Sequence, residues 1–444
     1  MEESIFKAYD IRGVYPKEIN EDTVEKIGHA IVDVLDMKTV AIGRDARASS
    51  PSLYAALEKG ITDAGGTVID LGLLTTPMVY YASGTLPVDG ALSVTASHNP
   101  PQYNGIKIAR AGAVPVGGEN GLMDIKEYVL HGTSTIAPQK GTVQKQNIIE
   151  NYYAHFAQYA AFGDRRFTVV IDTANAMGIL ETPLFERFAK NITLVKMYDD
   201  LSRPFTAHEP NPLKTETLVE LQKKVTETKA DMGISYDGDA DRVGFVDENG
   251  TVIQMDLITG LIARILLEKH HGATILYDLR SSRAVKEVIE ENGGIAHECR
   301  VGHALIKKQM RDENALFAGE LSGHYYFQEN FGAEAGTLAA FYLLNLMAET
   351  GKPISALVKD LRRYHHSGEI NSDVENKNAV MQKLKEIYAD GALSERDGIK
   401  IDYADWWFNV RPSNTESVLR LNVEAGAKEM MEQKRDELLR LIRA

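Results

Sequence analysis

The sequence predicts an α/β protein: three similar mixed-sheet α/β domains and a smaller C-terminal α+β domain, set around one cleft. Length is the first observation, since 444 residues exceed one ordinary core and suit about three or four domains. The second is a plan used three times. VAIGRD (40–45), VVID (169–172) and ILYD (275–278) are short apolar runs ending in Asp. Each leads into a helical stretch (52–65, 180–190, 284–292) and then another short strand (67–71, 192–197, 295–298). That is the strand–helix–strand unit of a parallel sheet covered by helices. Third, each repeat continues with an apolar strand (91–95, 232–236, 315–318) that stops in a polar loop of small residues: ASHNP, DGDADR and GELSGH. Ligands of open α/β sheets bind beyond the carboxyl ends of strands, so three sheets facing one cleft would bring three loops together.

In chain order, the first domain is expected over 1–142 and opens with FKAYDIRG (6–13), ahead of any regular structure. There Tyr9 and Arg12 could line the cleft, and Gly13 allows a tight turn. The stretch 131–146, rich in Gly, Thr and Gln, reads as a linker. The second domain is expected over 143–251 and the third over 252–364. The last, 365–444, changes pattern: strands at 399–403, 406–411 and 418–423, then one helix at 428–444. It carries a fourth polar loop, RPSNTE (411–416).

Composition bounds the function. Hydrophobic content of 44% with 25% charged residues is that of a globular protein, and the net charge of −14 argues against a nucleic-acid partner. An anionic substrate entering an acidic protein needs clustered Arg and Lys or a metal. The single cysteine, Cys299, excludes an intrachain disulfide framework and points to a reducing compartment. The start, MEESIF, lacks the pattern of a signal peptide, and the apolar stretch 338–347 is far short of a membrane span. A cytoplasmic protein without membrane partners is expected.

The loops carry the chemistry. DGDADR places Asp237, Asp239 and Asp241 at alternate positions, so an extended segment would project all three carboxylates to one side. Such a cluster repels itself unless a hard cation such as magnesium or calcium neutralises it. An EF-hand is excluded because its sixth position, Gly by rule, is Arg242, and strands flank the loop. A haloacid-dehalogenase-type phosphatase stays open, since Asp239 to Val243 reads D-x-D-x-V with Asp239 as its nucleophile.

In TASHNP, Asn99, Pro100 and Pro101 force a turn after a strand, leaving Ser97 and His98 exposed. Asn104 and Gly105 then read as a hairpin-like turn that returns Lys107 to the same place. A serine beside cations and a metal is a reasonable phosphoryl acceptor; a G-x-S-x-G elbow is lacking. In GELSGH, Glu320 and Ser322 alternate and could face adjacent sugar hydroxyls. In RPSNTE, Arg411 with Ser413, Asn414 and Thr415 offers a guanidinium fork and hydroxyls suited to a phosphate. Arg44 and Arg47 read as structural partners of Asp45.

Taken together, KAYDIRG, TASHNP, DGDADR, GELSGH and RPSNTE in this order resemble the α-D-phosphohexomutase superfamily, in particular its bacterial phosphomannomutase/phosphoglucomutase branch, over essentially the whole chain. The resemblance implies a C-terminal domain of TATA-binding-protein-like type and a heart-shaped molecule. It implies reversible interconversion of hexose 1- and 6-phosphates through a phosphorylated Ser97 and a hexose 1,6-bisphosphate, which also serves as activator. Mg²⁺ would be held by Asp237, Asp239 and Asp241 with the phosphoserine. Glu320 and Ser322 would bind the sugar, and Arg411, Ser413, Asn414 and Thr415 the non-reacting phosphate. Arg12, His98, Lys107, Arg242, His303 and His324 match further cleft positions, with Lys107 and His324 as candidate bases. Arg280 stands where relatives often have Lys, which keeps the charge and changes the donor geometry. Mannose and glucose are the expected sugars; a glucosamine or acetylglucosamine phosphate mutase is the near alternative. A sugar-phosphate-binding protein without turnover is a further one. The enzyme is expected as a monomer or homodimer.

Overall fold

The computed structural model describes residues 2–413 and 418–444. Three sheets repeat one strand order. In the second repeat, Ile192–Met197, Phe167–Asp172 and Met232–Tyr236 lie parallel, and Val243–Asp247 adds antiparallel beside Met232–Tyr236. The third repeat matches it with Ile295–Cys299, Thr274–Asp278, Phe317–Gly319 and antiparallel Tyr325–Phe327. So does the first, with Thr67–Leu73, Thr39–Arg44, Gly90–Val94 and antiparallel Tyr103–Arg110. In every repeat the predicted functional loop is the connection from the last parallel strand to the antiparallel one.

The local code is conventional. Arg283–Glu291 starts after Ser282, whose hydroxyl accepts the Ala284 N–H, and it buries Val285, Val288 and Ile289 at helical spacing. Glu21–Asp33 is capped in the same way by Asn20. The predicted 180–190 helix is shorter: a single 3₁₀ turn, Met177–Leu180, precedes the short helix Thr182–Glu186, with Pro183 near its start. Two segments expected to be irregular are strands. Ile11–Val14 is a strand paired with Tyr103–Ile106, so Arg12 projects from a sheet edge. Gly13 is needed there because a Cβ would come within 2.8 Å of Ile5 Cγ2. Val143–Lys145, inside the stretch read as linker, pairs parallel with Val68–Asp70 of the first sheet.

The C-terminal sheet is antiparallel. Ile399–Asp402, Trp406–Pro412 and Val418–Ala425 are neighbours in it, and Lys428–Ile442 and Lys377–Ile387 belong to the same domain. Apolar packing divides the molecule unevenly. One continuous core includes Leu71 and Val79 of the first repeat, Phe185 and Tyr236 of the second, and Tyr325 and Phe341 of the third. The first repeat keeps a second core, around Ile27, Leu57 and Leu92, and the C-terminal domain has its own around Trp406, Phe408 and Leu438. Each fully buried large side chain contributes about 1.5–3 kcal/mol, so the three-repeat body is fused by the same term that folds it. No helix among the described residues is long and apolar enough to cross a membrane.

Candidate active site

Ser97 sits in the turn between Gly90–Val94 and Tyr103–Arg110 with a left-handed backbone, φ 51°. That conformation costs a non-glycine residue about 1–3 kcal/mol, and surrounding contacts must enforce it. Here Thr95 Oγ1 accepts the Ser97 N–H at 3.0 Å, and Arg47 Nη2 donates to the Ser97 carbonyl at 2.7 Å. Arg47 also donates to the carbonyls of Asn99, Pro100 and Tyr103 and is anchored on Asp45 at 3.0 Å. A guanidinium fork can hold four carbonyls where an ammonium cannot. Arg47 is therefore the scaffold of this loop, as its pairing with Asp45 suggested. The same inward pull corrects the expectation of an exposed serine: Ser97 is 2% exposed and His98 half-buried. Asn104 and Gly105 form no turn; they lie within the strand Tyr103–Arg110, which aims Lys107 into the site.

The acidic loop follows Met232–Tyr236 as a tight turn, not an extended segment. Ala240, at φ 63°, donates its N–H to the Asp237 carbonyl at 3.2 Å, and the Asp237 N–H donates to the Arg242 carbonyl. The three carboxylates converge through this turn, all buried, with ligand atoms within 4.8 Å of one another. Ser97 Oγ donates to Asp237 Oδ2 at 2.8 Å and lies 3.2 Å from His98 Nδ1. Gly238 permits the approach: a Cβ there would stand 2.1 Å from the Ser97 carbonyl oxygen. Lys107 Nζ is 2.7 Å from Asp239 Oδ2 and also binds Asp241. Asp239 Oδ1 and Asp241 Oδ1 are buried without a hydrogen-bond partner among the described residues. Three converging carboxylates with two unsatisfied oxygens are the donor set of a hard divalent cation.

Electrostatics agree with that crowding. Burial, then Asp241 and Asp239, push the Asp237 carboxyl well above the usual range. Burial opposes the charge on Lys107 too, but Asp239 and Asp241 outweigh it and hold the ammonium well above its ordinary value. Burial, then Arg242 and Arg12, drive His98 well down, so it is neutral. Arg12 reaches the serine loop through Asn99 Oδ1 at 2.6 Å.

From the third repeat, Ser322 donates to Glu320 Oε2 at 2.9 Å and lies 2.8 Å from His324 Nδ1. The other face of His324 is 3.4 Å from Asp241 Oδ1 and 3.3 Å from Arg242 Nε. His324 thus spans the sugar-type loop and the acidic loop. His303 stacks edge-on against Tyr9 at 5.9 Å, and Tyr9 donates to the Val301 carbonyl. Burial, then Asp397, pushes the Tyr9 phenol up to about 12. Arg280 is not an open cation. Asp278 takes its fork at 2.6 and 3.2 Å, and Glu369 takes Nη1 at 3.1 Å.

Arg411 is 1% exposed and donates to Glu369 Oε2 at 3.0 Å, while Arg420 pairs with Glu369 Oε1 at 3.1 Å. Burial opposes ionisation of Glu369, but Arg280, Arg411 and Arg420 outweigh it and hold its carboxyl at about 2. Ser413 N–H donates to the Val418 carbonyl; Asn414 and Thr415 lie outside the described residues.

Sequence reasoning passed over Glu369, Thr76, Glu181 and the buried pair Lys307–Glu334 at 2.9 Å. None lies in a recognisable motif, and each matters only through a partner far along the chain. Asp239, which the dehalogenase-type reading makes the nucleophile, accepts at Oδ2 from Lys107 and from Thr76 Oγ1 at 2.7 Å, and that reading gives way to the family match that follows.

Comparison with known proteins covers the whole chain. The phosphoglucomutase/phosphomannomutase alpha/beta/alpha domains I, II and III match residues 3–134, 150–250 and 254–364, and the C-terminal domain matches 369–441. A phosphomannomutase of Methanocaldococcus jannaschii is 39% identical, covering 99% of this chain and 97% of its own. One from Escherichia coli K12 is 37% identical, covering 98% of each. A crystal structure of a phosphoglucomutase/phosphomannomutase family protein from Burkholderia thailandensis superposes with a TM-score of 0.90 at 30% identity. It covers 99% of this chain and 97% of that one.

Proposed function

This chain belongs to the phosphoglucomutase/phosphomannomutase family and is a hexose-phosphate mutase, and from that premise we propose how its residues divide the work. The observation that carries the reading is Ser97 Oγ, 2.8 Å from an acidic cluster with unsatisfied buried oxygens. Ser97 is the phosphoryl carrier. Asp237, Asp239 and Asp241 would hold the divalent cation, Mg²⁺, beside phosphorylated Ser97. Bound there, Mg²⁺ supplies charge neutralisation at the transferring phosphoryl group.

A sugar hydroxyl attacks the phosphorus of phosphorylated Ser97; the new sugar O–P bond forms as the bond to Oγ breaks. His324, which touches both the sugar-type loop and the acidic loop, takes the hydroxyl proton. Arg242 and Lys107 line up the equatorial oxygens and stabilise their charge. Glu320 and Ser322 grip ring hydroxyls, His303, Tyr9 and Arg12 complete the wall, and Arg411 with Ser413, Asn414 and Thr415 holds the distant phosphate. The bisphosphate then turns end for end, and its other phosphoryl returns to Ser97. Arg280, through Asp278 and Glu369, sets the geometry between sugar loop and phosphate clamp. Free hexose 1,6-bisphosphate reloads Ser97 and so acts as activator. Mannose and glucose phosphates are the substrates: the two differ only at the C2 hydroxyl, which a grip by Glu320 and Ser322 on O3 and O4 leaves unread, so both are used.

The test is ³¹P NMR of the protein with Mg²⁺, catalytic glucose 1,6-bisphosphate and one 1-phosphate per tube: mannose, glucose or glucosamine. Conversion to the 6-phosphate, fastest for mannose or glucose, is expected. Fastest turnover of glucosamine 1-phosphate would reassign the sugar, and a Ser97 that takes up no phosphate would overturn the mechanism.

A further inference from the structure

One buried carboxylate beside the acidic loop joins all three repeats. Glu181 is 1% exposed. Its Oε1 accepts from Thr75 Oγ1 at 2.9 Å, in the first repeat. Its Oε2 accepts from Thr337 Oγ1 at 2.8 Å, in the third, and Tyr152 OH of the second stands 3.2 Å from both oxygens. Each hydroxyl has one proton, so Thr337, having given its own to Glu181, accepts from Tyr236 OH at 2.7 Å.

The partners of Glu181 abut the reaction machinery. Tyr236 immediately precedes Asp237. Thr75 immediately precedes Thr76, which donates both its N–H, at 3.0 Å, and its Oγ1, at 2.7 Å, to Asp239. Glu181 also closes the turn Met177–Leu180, whose Met177 N–H donates to the Gly238 carbonyl at 3.2 Å. Gly238 is the residue packed against the Ser97 carbonyl. Segments from two repeats thus grip the acidic loop at Gly238 and Asp239: one is held by the Glu181 side chain through Thr75 Oγ1, and the other runs into Glu181 along the backbone, its turn closed by the Glu181 N–H on the Gly178 carbonyl.

We propose that Glu181 is a positioning residue for phosphoryl transfer, setting the acidic loop against the serine loop while touching neither reacting atom. The assignment rests on Ser97 as carrier and on the aspartates as metal ligands. In-line transfer is steep in distance: a displacement of about 1 Å can cost about 100-fold. Loss of Glu181 therefore acts on transfer and on cation affinity, and not on the distant phosphate clamp.

The test compares wild type with Glu181→Ala and Glu181→Gln in full-length protein. It reads kcat, KM for hexose 1-phosphate, half-saturation by Mg²⁺, melting temperature, and Ser97 phosphorylation by glucose 1,6-bisphosphate in intact-mass spectra. For Glu181→Ala, kcat and the phosphorylation rate fall about 10- to 100-fold. Half-saturation by Mg²⁺ rises, and KM stays within about twofold. Glu181→Gln, whose amide can still meet rotated hydroxyls, recovers most of the rate. If Glu181→Ala does not fold, Thr337→Val, which removes one donor at constant volume, carries the same pattern at smaller size. A folded variant with a lower melting temperature but unchanged kcat and Mg²⁺ dependence reduces Glu181 to a packing group and overturns the proposal. Wild-type protein that leaves Ser97 unphosphorylated would overturn the carrier assignment instead, so the two failures are separate.

Discussion

The reacting end of the cleft and the clamp end are built on different principles. At the reacting end, one apolar core runs through all three repeats, beside a second core private to the first, and Ser97, Asp237, Asp239 and Lys107 are buried and tied. At the clamp end, the C-terminal domain keeps a core of its own and meets the body through polar contacts. Arg283 donates to Asp402 and the carbonyls of Ala404, Tyr403 and Trp406, Lys400 pairs with Glu298, and Glu369 joins Arg280 to Arg411 and Arg420. Apolar fusion gives a fixed geometry, which transfer requires. Polar seams are exchanged for water at little net cost, so the C-terminal domain is the part of the molecule that separates from the body most cheaply.

The contrast can be broken or sharpened by substitution. The largest effect is expected for Ser97→Ala: kcat falls by about 10⁴-fold or more, with substrate binding retained by calorimetry. Asp239→Asn should cost about 10²–10³-fold in kcat, and chelation of the wild type should silence it until Mg²⁺ is restored. Arg411→Ala should act differently, raising KM by about tenfold or more while kcat changes less, because it removes a charge-assisted bond to the non-reacting phosphate. An unchanged KM would dissolve the division between the two ends. Glu369→Gln should lower the inhibition constant for inorganic phosphate by about two- to fivefold, since the internal anion no longer competes for Arg411.

The smallest effect is one of pH. Glu369 is held at about 2 in the folded protein, below the ordinary value of about 4.3. Its contribution to the seam is therefore complete above about pH 4.3 and is lost as pH falls through about 2. Hydrogen exchange in 365–444 should rise with acid before exchange in the three-repeat body does. Equal loss of protection in both would show that the seam is not polar in effect.

Local signals made the fold readable. The threefold strand–helix–strand plan and the loops at strand ends required only apolar runs and their abrupt stops, and the strand order bears out the repeat. Loop conformation was less readable. The Asp237–Arg242 segment was expected extended and is a turn, because Ala240 takes a positive φ that no composition announces. Ser97 was expected exposed and is buried, because Arg47, fifty residues away, gathers the loop carbonyls. Glu181 and Glu369 were invisible for the same reason: Thr75 and Thr337 lie 106 and 156 residues from Glu181, and Arg280 lies 89 from Glu369.

The contact of Gly238 with the Ser97 carbonyl also bears on how the enzyme is made. Ser97 leaves the ribosome 140 residues ahead of Asp237. At about 5–20 residues per second that is a lag of roughly 7–28 s. Through that interval the first repeat can fold, yet its serine has no acidic loop beside it and no cation site to join. With Ser97 as the proposed carrier, the nascent chain would be chemically silent until the second repeat docks, and a ribosome carrying an unfinished copy would not draw phosphoryl groups from the hexose phosphates around it.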